Sequence, residues 1–95
     1  MEYEIHLELD KIIKKLSLKD KSLAISLLKK IEEIKESEFL DHYKNLKKPL
    51  QKYKRIHITE QFILIFWVDK KNDKIIFRYL EHRDKIYGKK YDWFK

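Results

Sequence analysis

Side chains that could act together on an anionic group lie near the C-terminal end of the chain. The run Glu81–Tyr87 holds an imidazole, a guanidinium and a phenol just after a predicted strand, beside a turn that could direct them to one point. An imidazole exchanges protons near neutral pH, and a guanidinium binds phosphate or carboxylate through a planar fork. His82 could equally be a solvated strand-end histidine, and Tyr87 could simply cover a sheet edge. Their occurrence together with Arg83 favours a chemical role.

Arginine is rare in this chain, although basic residues are abundant. Lysine accounts for 20 of the 23 basic residues. Because the arginine fork binds phosphates and carboxylates more specifically than an ammonium does, a chain that otherwise uses lysine can retain arginine for that purpose. Ion pairs with Glu60, Glu81 or Asp84 are the alternative role. The three arginines, all in the predicted strand region, are Arg55, Arg78 and Arg83.

Charge is distributed unevenly along the 95 residues, whose formal net charge is +7. Residues 1–43 carry a net −2, whereas residues 44–95 carry a net +9. A basic half on a small protein favours polyanionic partners, because neutralising phosphates releases counterions and the field steers encounter. A composition rich in lysine and glutamate also occurs in thermophile proteins. The charge by itself therefore leaves nucleic acid binding as one of two explanations.

Composition excludes or disfavours several kinds of chemistry. The chain has no cysteine, which excludes disulfides, thiolate zinc sites and cysteine nucleophiles. Its single glycine leaves no phosphate-binding glycine loop, and its four histidines lack the spacing of metal ligands. No close pair of carboxylates lies in an apolar setting. We therefore expect no metal and no cofactor, and any catalysis to rely on bases and cations.

Length and hydropathy predict a small globular protein. The 95 residues, 43% of them hydrophobic, are enough for one core, and we expect residues 1–95 to form a single domain. The chain does not open with a basic region and an apolar run, and its longest apolar run, Phe62–Val68, is far too short to span a bilayer. We expect a cytoplasmic protein without membrane contact.

The N-terminal half has the pattern of a strand followed by a helical hairpin. Alternating apolar residues from Tyr3 to Leu9 predict a strand with one buried face. The apolar spacing then changes to a helical period near Asp10, which is suited to cap a short helix. The sequence Ser17–Asp20 resembles a second N-terminal cap, and a helical stripe continues to about Glu36. Such stripes are typical of core packing.

The C-terminal half has the pattern of a basic loop followed by three strands. The basic loop, residues 42–54, shows no period, includes Pro49 and carries no acidic residue. Alternation from Tyr53 and the runs Phe62–Val68 and Ile75–Leu80 predict strands joined by short turns, with the middle strand covered on both faces. A helical turn around residues 85–87 is expected to end at Gly88. The lysines of the basic loop are Lys44, Lys47, Lys48, Lys52 and Lys54.

The predicted fold class is α+β: a helical hairpin on a small, mainly antiparallel sheet, in the order β-α-α-β-β-β, with a short C-terminal helical turn. In this order the chain resembles, over nearly all its length, the RelE/ParE-like toxins of bacterial and archaeal toxin–antitoxin pairs, particularly the RelE-type mRNA endoribonucleases. The resemblance also rests on Tyr53–Arg55 at the entry to the strands. In addition, the ending His82–Tyr87 matches an HR-x-x-x-Y pattern that is common in the family.

The resemblance implies a small basic toxin that enters the ribosomal A site and cleaves mRNA through the RNA's own 2′-hydroxyl, without a metal. It implies Arg83 at the scissile phosphate and Tyr87 for base stacking or proton transfer. Lys54 would give electrostatic assistance or act as the base, and His82 would act as an acid or base. Further RNA contacts are expected from Lys44, Lys47, Lys48, Lys52, Arg55 and Arg78.

The chain departs from the family pattern at one position. RelE-type members often carry an arginine on the central strand, where this chain has Phe62–Leu64. Arg55 or Arg78 is the candidate replacement from an adjacent strand. Two alternative functions stay open: a ParE-type toxin that acts on DNA gyrase, and a non-catalytic nucleic-acid-binding or interaction module.

A partner protein is also implied. We expect a cognate antitoxin that is RelB-like, acidic and largely helical, and that covers the basic half of the toxin as it folds on contact. The expected complex is a heterodimer that can assemble into a heterotetramer.

Overall fold

A computed structural model describes residues 2–48 and 50–86, which form two α-helices and four strands. In chain order these are β1 (Glu2–Ile5), α1 (Leu7–Lys19), α2 (Lys21–Glu36), β2 (Lys54–His57), β3 (Phe62–Asp69) and β4 (Lys74–His82). A short 3-10 turn, Leu40–His42, lies between α2 and β2. The predicted α+β order is confirmed for this part of the chain. Residues 87 and 88 of the predicted C-terminal turn lie outside it.

The strands form one mixed sheet in the order β1-β4-β3-β2. The consecutive strands β2, β3 and β4 pair antiparallel, as the sequence predicts. The first strand, β1, instead pairs parallel to β4 and forms one edge of the sheet. A bulge in the β3–β4 ladder lies beside Ile65 and Phe66 and leaves Arg78 as the extra residue of β4.

One face of the sheet, here called the helix face, carries Leu64, Phe66 and Phe77 and is covered by α1 and α2. The buried stripe of α2 packs on it because its apolar residues recur at three- and four-residue spacing. Burying each such large side chain stabilises the fold by roughly 1.5–3 kcal/mol. Neither helix in residues 2–48 and 50–86 is long and apolar enough to cross a membrane.

The opposite face of the sheet, here called the loop face, has a smaller apolar cluster of its own. It joins β3 to the basic loop and to the turn at residues 83–86, here called the C-terminal turn. Because β3 contributes to both clusters, its predicted coverage on both faces is confirmed. The buried members of the loop-face cluster are Leu46, Leu50, Tyr53, Ile63, Ile65 and Ile86.

The boundary between the first strand and the first helix differs from the prediction. The strand ends at Ile5 and α1 begins at Leu7, so Asp10 lies inside the helix and does not cap it. His6 is the cap, and its Nδ1 accepts a hydrogen bond from the backbone N of Glu8 at 3.1 Å. The alternation continues by coincidence into the first helical turn, where Leu9 is fully buried and Leu7 is exposed.

The second helix is capped by the last residue of the predicted cap sequence. The carboxylate of Asp20 accepts a hydrogen bond from the backbone N of Leu23 at 3.1 Å, as an N-cap does. Ser17 belongs to α1, where its Oγ donates to the backbone oxygen of Ile13 at 2.9 Å. The hairpin bend is therefore three residues later than the start of the predicted cap.

Candidate functional site

Polar side chains of β2 and β4 share the loop face. Strand register places Arg55 and Tyr79 on either side of one β3 residue, and His57 and Glu81 on either side of the β3 residue two positions earlier. Directly paired residues point to the same face of a sheet, and neighbouring strands lie about 4.8 Å apart. The guanidinium of Arg55 and the phenol of Tyr79 therefore lie in one row across the sheet. The imidazole of His57 and the carboxylate of Glu81 lie in the next row on the same face.

Two segments of the chain are anchored on this face by apolar side chains. Leu46, Leu50 and Tyr53 hold the basic loop against β3, and Ile86 holds the C-terminal turn against the same strand. These contacts bring two predicted site segments, separated by about 30 residues of chain, to the same side of the sheet. The basic loop and the C-terminal turn therefore pack on one face of the sheet through the loop-face cluster.

Arg55 lies at the centre of this arrangement. Its backbone N donates to the backbone oxygen of Lys44 at 2.9 Å, which ties β2 to the start of the basic loop. Its side-chain Nε is buried and has no hydrogen-bond partner within residues 2–48 and 50–86. A buried donor without a partner carries a desolvation cost.

Lys54 points to the helix face, away from Arg55. It is paired with Phe66 in the ladder, is 9% exposed, and its Nζ donates to the backbone oxygen of Tyr43 at 3.3 Å and to the side-chain oxygen of Asn45 at 3.2 Å. The ammonium therefore holds the beginning of the basic loop against β2, which is an edge strand of the sheet. This placement gives Lys54 a structural task on the helix face, whereas Arg55 lies on the loop face.

Arg83 follows β4 in the C-terminal turn. Its backbone N donates to the backbone oxygen of Gln61 at 2.8 Å, so it lies beside the turn that precedes β3. Its side chain is 54% exposed and meets Asp84 at 3.7 Å. An exposed ion pair of this kind contributes little stability and leaves the guanidinium accessible to a polyanion.

The structure does not bring Lys54 and Arg83 together. Lys54 pairs with Phe66, whereas Arg83 follows the residue that pairs with Phe62. Four strand residues separate these levels of the sheet, which corresponds to about 13 Å along the strand. Arg83 shares its end of the sheet with Glu81 and His57 instead.

His82 lies on the helix face, at the end of the sheet next to Arg83. Its ring meets the ring of Phe62 edge-on, with centroids 5.5 Å apart. Its Nδ1 accepts a hydrogen bond from the backbone N of Asp84 at 3.2 Å. The imidazole is part of the C-terminal bend, and its side chain remains 31% exposed.

Arg78 is the most enclosed of the predicted RNA-binding residues. Its side chain is 7% exposed, and its Nη1 lies 3.2 Å from the carboxylate of Glu8 and 3.4 Å from Nδ1 of His6. The bulge in β4 turns this side chain toward the start of α1. Its partner is a helix carboxylate that the sequence did not indicate, and Arg78 is separate from the basic loop.

The other predicted cations lie on the exposed side of the basic loop. Lys52 places its Nζ 4.6 Å from the ring centroid of Trp67 and 5.1 Å from that of Tyr53. It therefore covers an aromatic surface of the loop face while keeping its charge in solvent. The exposed lysines of the basic loop are Lys44, Lys47, Lys48 and Lys52.

The last two residues of the candidate site are Tyr87 and His57. Tyr87, a predicted catalytic residue, lies outside the described residues. His57, which the sequence analysis counted only among histidines without metal spacing, lies on the loop face beside Arg55, and its Nδ1 is 3.3 Å from the backbone oxygen of Thr59. The alternation of Ile56 and Ile58 with polar neighbours was the available signal, because it places both polar side chains on one face.

Comparisons with known proteins give the family. The chain is 48% identical over 89 residues to the Methanocaldococcus jannaschii protein named "Putative toxin RelE4", covering 94% of this chain and 93% of that protein. It is 38% identical over 84 residues to an uncharacterized protein of Methanosarcina mazei, covering 88% of this chain and 95% of that protein. No protein-family model matches the sequence.

Solved structures of toxins share the fold. A YoeB/ParE toxin from Agrobacterium tumefaciens superimposes with a TM-score of 0.74 at 15% identity, over 87% of this chain and 99% of its own. YafQ from Escherichia coli superimposes with a TM-score of 0.65 at 17% identity, over 92% of this chain and 98% of its own. With the sequence relationship above, the chain belongs to the RelE/ParE-like family of toxins from toxin–antitoxin pairs. Membership of this family implies an antitoxin partner.

Proposed function

We propose that this toxin is a ribosome-dependent mRNA endoribonuclease that inhibits translation. The observation that carries the proposal is the packing of the basic loop and the C-terminal turn on the loop face, beside Arg55 and His57. This surface combines cations suited to a phosphate backbone with the imidazole of His57, the side-chain type that most often serves as a general base. Proteins commonly recognise single-stranded RNA by such cations together with aromatic side chains.

Cleavage would proceed through the 2′-hydroxyl of the message. A base removes the proton of this hydroxyl, the 2′-oxygen bonds to phosphorus, and the bond from phosphorus to the 5′-oxygen breaks as an acid protonates the leaving oxygen. Cations stabilise the charge that develops on the phosphorane oxygens. The reaction therefore calls for a base, an acid and at least one guanidinium or ammonium near the phosphate.

We assign the cationic role to Arg83, with Arg55 as the second cation. Arg83 has an accessible side chain at the end of the sheet, and Arg55 lies on the loop face beside His57. His57 is the proposed base because it shares the loop face with Arg55. His82, at the same end of the sheet as Arg83, keeps its predicted role as acid or base, and Tyr87 keeps its predicted role in base stacking or proton transfer. Lys54 is proposed as a positioning residue that fixes the basic loop.

The partners follow from the same surface. The substrate is mRNA on the ribosome, which places the toxin in the cytoplasm. The proposed antitoxin is acidic, helical and RelB-like, since residues 44–95 carry a net +9 that must be covered in the inactive state. We propose a heterodimer that can assemble into a heterotetramer.

Arg83→Ala tests the proposal on purified translating ribosomes. We expect cleavage of the message to fall by about a hundredfold or more, since the variant lacks a charge donor aimed at the phosphate. His57→Ala should lower it by about a hundredfold, the usual contribution of a positioned base. Lys71→Ala is the matched control, because it removes an exposed cation at the opposite end of the sheet.

Two outcomes would contradict the proposal. A wild-type protein that leaves messages intact while blocking DNA supercoiling by gyrase would establish the alternative toxin activity. RNA binding with a steep salt dependence but without cleavage would indicate a non-catalytic module.

A further inference from the structure

A cavity of about 390 Å³ lies on the helix side of the sheet end, between the start of α2 and the turn that joins β2 to β3. Its polar lining comes from two elements that the proposed cleavage mechanism does not use. The lining of the cavity includes Asp20, Ser22, Ser26, Glu60, Gln61 and Phe62.

The cavity adjoins the candidate site directly. The backbone oxygen of Gln61 accepts the hydrogen bond from Arg83 at 2.8 Å, and Phe62 pairs with His82 in the ladder. The rings of Phe62 and His82 are in edge-on contact. The cavity and Arg83 therefore lie at the same end of the sheet.

The lining is unsuited to a phosphate. None of the described residues that line the cavity is basic, and two of them, Asp20 and Glu60, are carboxylates. The positive end of α2 is already neutralised in part, because the Asp20 carboxylate accepts the hydrogen bond from the backbone N of Leu23. An anion would meet repulsion here, whereas a neutral group with N–H donors would not.

The lining is suited to a planar base with amino groups. Within residues 2–48 and 50–86, no hydrogen bond occupies the Glu60 carboxylate, the Ser26 hydroxyl or the Gln61 side-chain amide. The partly buried ring of Phe62 offers a surface for stacking. A carboxylate accepts hydrogen bonds from the exocyclic amines of adenine, cytosine and guanine, but it meets only carbonyl oxygens at the corresponding positions of uracil.

We propose that this cavity holds the base adjacent to the cleaved bond and favours bases with an exocyclic amine over uracil. The inference rests on the proposed ribonuclease function and adds a specificity pocket to it. Glu60 is the residue that discriminates, with Ser26 and Gln61 as further hydrogen-bonding groups.

The first test compares cleavage of four messages that differ only in the base beside the cleaved bond. The wild type should cut the uridine message more slowly than the other three, and Glu60→Ala should reduce this difference by about tenfold, the value of one good base contact. Glu38→Ala, which removes an exposed carboxylate elsewhere, should leave the preference unchanged. Equal cutting of all four messages by the wild type, or an unchanged preference in Glu60→Ala, would overturn the inference.

The second test does not depend on cleavage. Amide chemical shifts of Ser26 and Gln61 are recorded while trinucleotides with a 2′-deoxy sugar at the cleaved bond are added to the wild type. Those with adenine, cytosine or guanine should shift these amides more than uracil does. No shift with any trinucleotide overturns the pocket even if messages are cleaved. Shifts without cleavage of messages would reject the nuclease and retain the pocket. Weaker antitoxin binding by Glu60→Ala, with an unchanged cleavage preference, would assign the cavity to the protein partner.

Discussion

Lys54 and Arg55 are neighbours in β2, but they have different roles because their side chains point to opposite faces of the sheet. Arg55 faces the loop side with an unpartnered buried Nε, whereas Lys54 faces the helix side with its ammonium bound to Tyr43 and Asn45. In a strand, consecutive side chains point to opposite faces. Only one of the two adjacent cations can therefore belong to a site on the loop face.

Lys54→Met separates a structural from a catalytic role. Methionine keeps most of the apolar stem but leaves the two oxygens without their donor, so we expect the free energy of unfolding to fall by about 1–3 kcal/mol. Urea denaturation measures this change. Cleavage should fall only as far as the fraction of folded protein decreases and the basic loop becomes less ordered.

The matched control for that variant is Lys48→Met, which alters an exposed lysine of the same loop and should change stability by less than about 0.5 kcal/mol. A Lys54→Met protein with wild-type stability but greatly reduced cleavage would restore the catalytic assignment.

Arg78 shows a second way in which an arginine is used in this chain. Its nearly buried guanidinium pairs with Glu8, whose side chain is 46% exposed, so the pair joins β4 to the first turn of α1. Such a pair fixes geometry more than it adds stability, since desolvating the ions offsets much of their attraction. Of the two candidates for the central-strand arginine, we therefore propose Arg55, which lies on the loop face.

Sequence alone distinguishes these roles only in part. Alternation around Ile56 correctly predicted a strand, and the register of that strand places Arg55 and His57 on one face. The partners of Lys54 and Arg78 could not be predicted, because they depend on the path of the basic loop and on the bulge in β4. Both are long-range contacts that leave no local periodic signal.

At the level of elements, the most pronounced hydrophobic patterns predicted the structure best. The run Phe62–Val68 is apolar at every position, and β3 is the strand enclosed on both faces. The start of α1 was misplaced because Leu7 and Leu9 continue the strand alternation by chance. The cap by His6 decides the boundary, and histidine is not among the residues that usually mark a helix start.

The turn between β3 and β4 should respond to acid. The side chain of Asn72 donates a hydrogen bond of 2.8 Å to the Asp69 carboxylate, and this bond is the main cause that lowers the pKa of Asp69 below its ordinary value of 3.8. A carboxyl whose pKa is lower in the folded than in the unfolded state stabilises the fold at pH values above the unfolded pKa. That contribution disappears as the pH falls through the folded pKa, below 3.8.

Asp69→Asn tests this dependence. Between about pH 5 and about pH 2, its free energy of unfolding should decrease less than that of the wild type, as measured by urea denaturation at each pH. Glu38→Gln is the control and should follow the wild-type curve. Parallel curves for wild type and Asp69→Asn would show that the turn carboxylate contributes nothing to the acid sensitivity.

For the whole molecule, the basic loop should govern the salt dependence of RNA binding. In a double variant, Lys44→Ala with Lys48→Ala, we expect weaker binding of single-stranded RNA. The slope of log affinity against log salt should become shallower by about 0.7 for each phosphate that the variant no longer neutralises. Fluorescence anisotropy at several salt concentrations measures both quantities.

The control removes two exposed lysines from the β3–β4 turn, Lys70→Ala with Lys71→Ala, and leaves the charge of the basic loop intact. An equal effect of both double variants would indicate that net charge, and not the loop, determines RNA binding.

The uneven charge along the chain was visible in the sequence, but the side of the sheet that displays it was not. That residues 1–95 form a single domain stays a prediction.

The parallel pairing of β1 with β4 has a consequence for biosynthesis. Residues 2–5 find their partners only at residues 74–77, so the sheet edge cannot close until most of the polypeptide has been made. Contacts so distant in sequence form late and slowly. The native sheet is therefore completed only after residues 74–77 have been synthesised, which makes this edge a late product of biosynthesis.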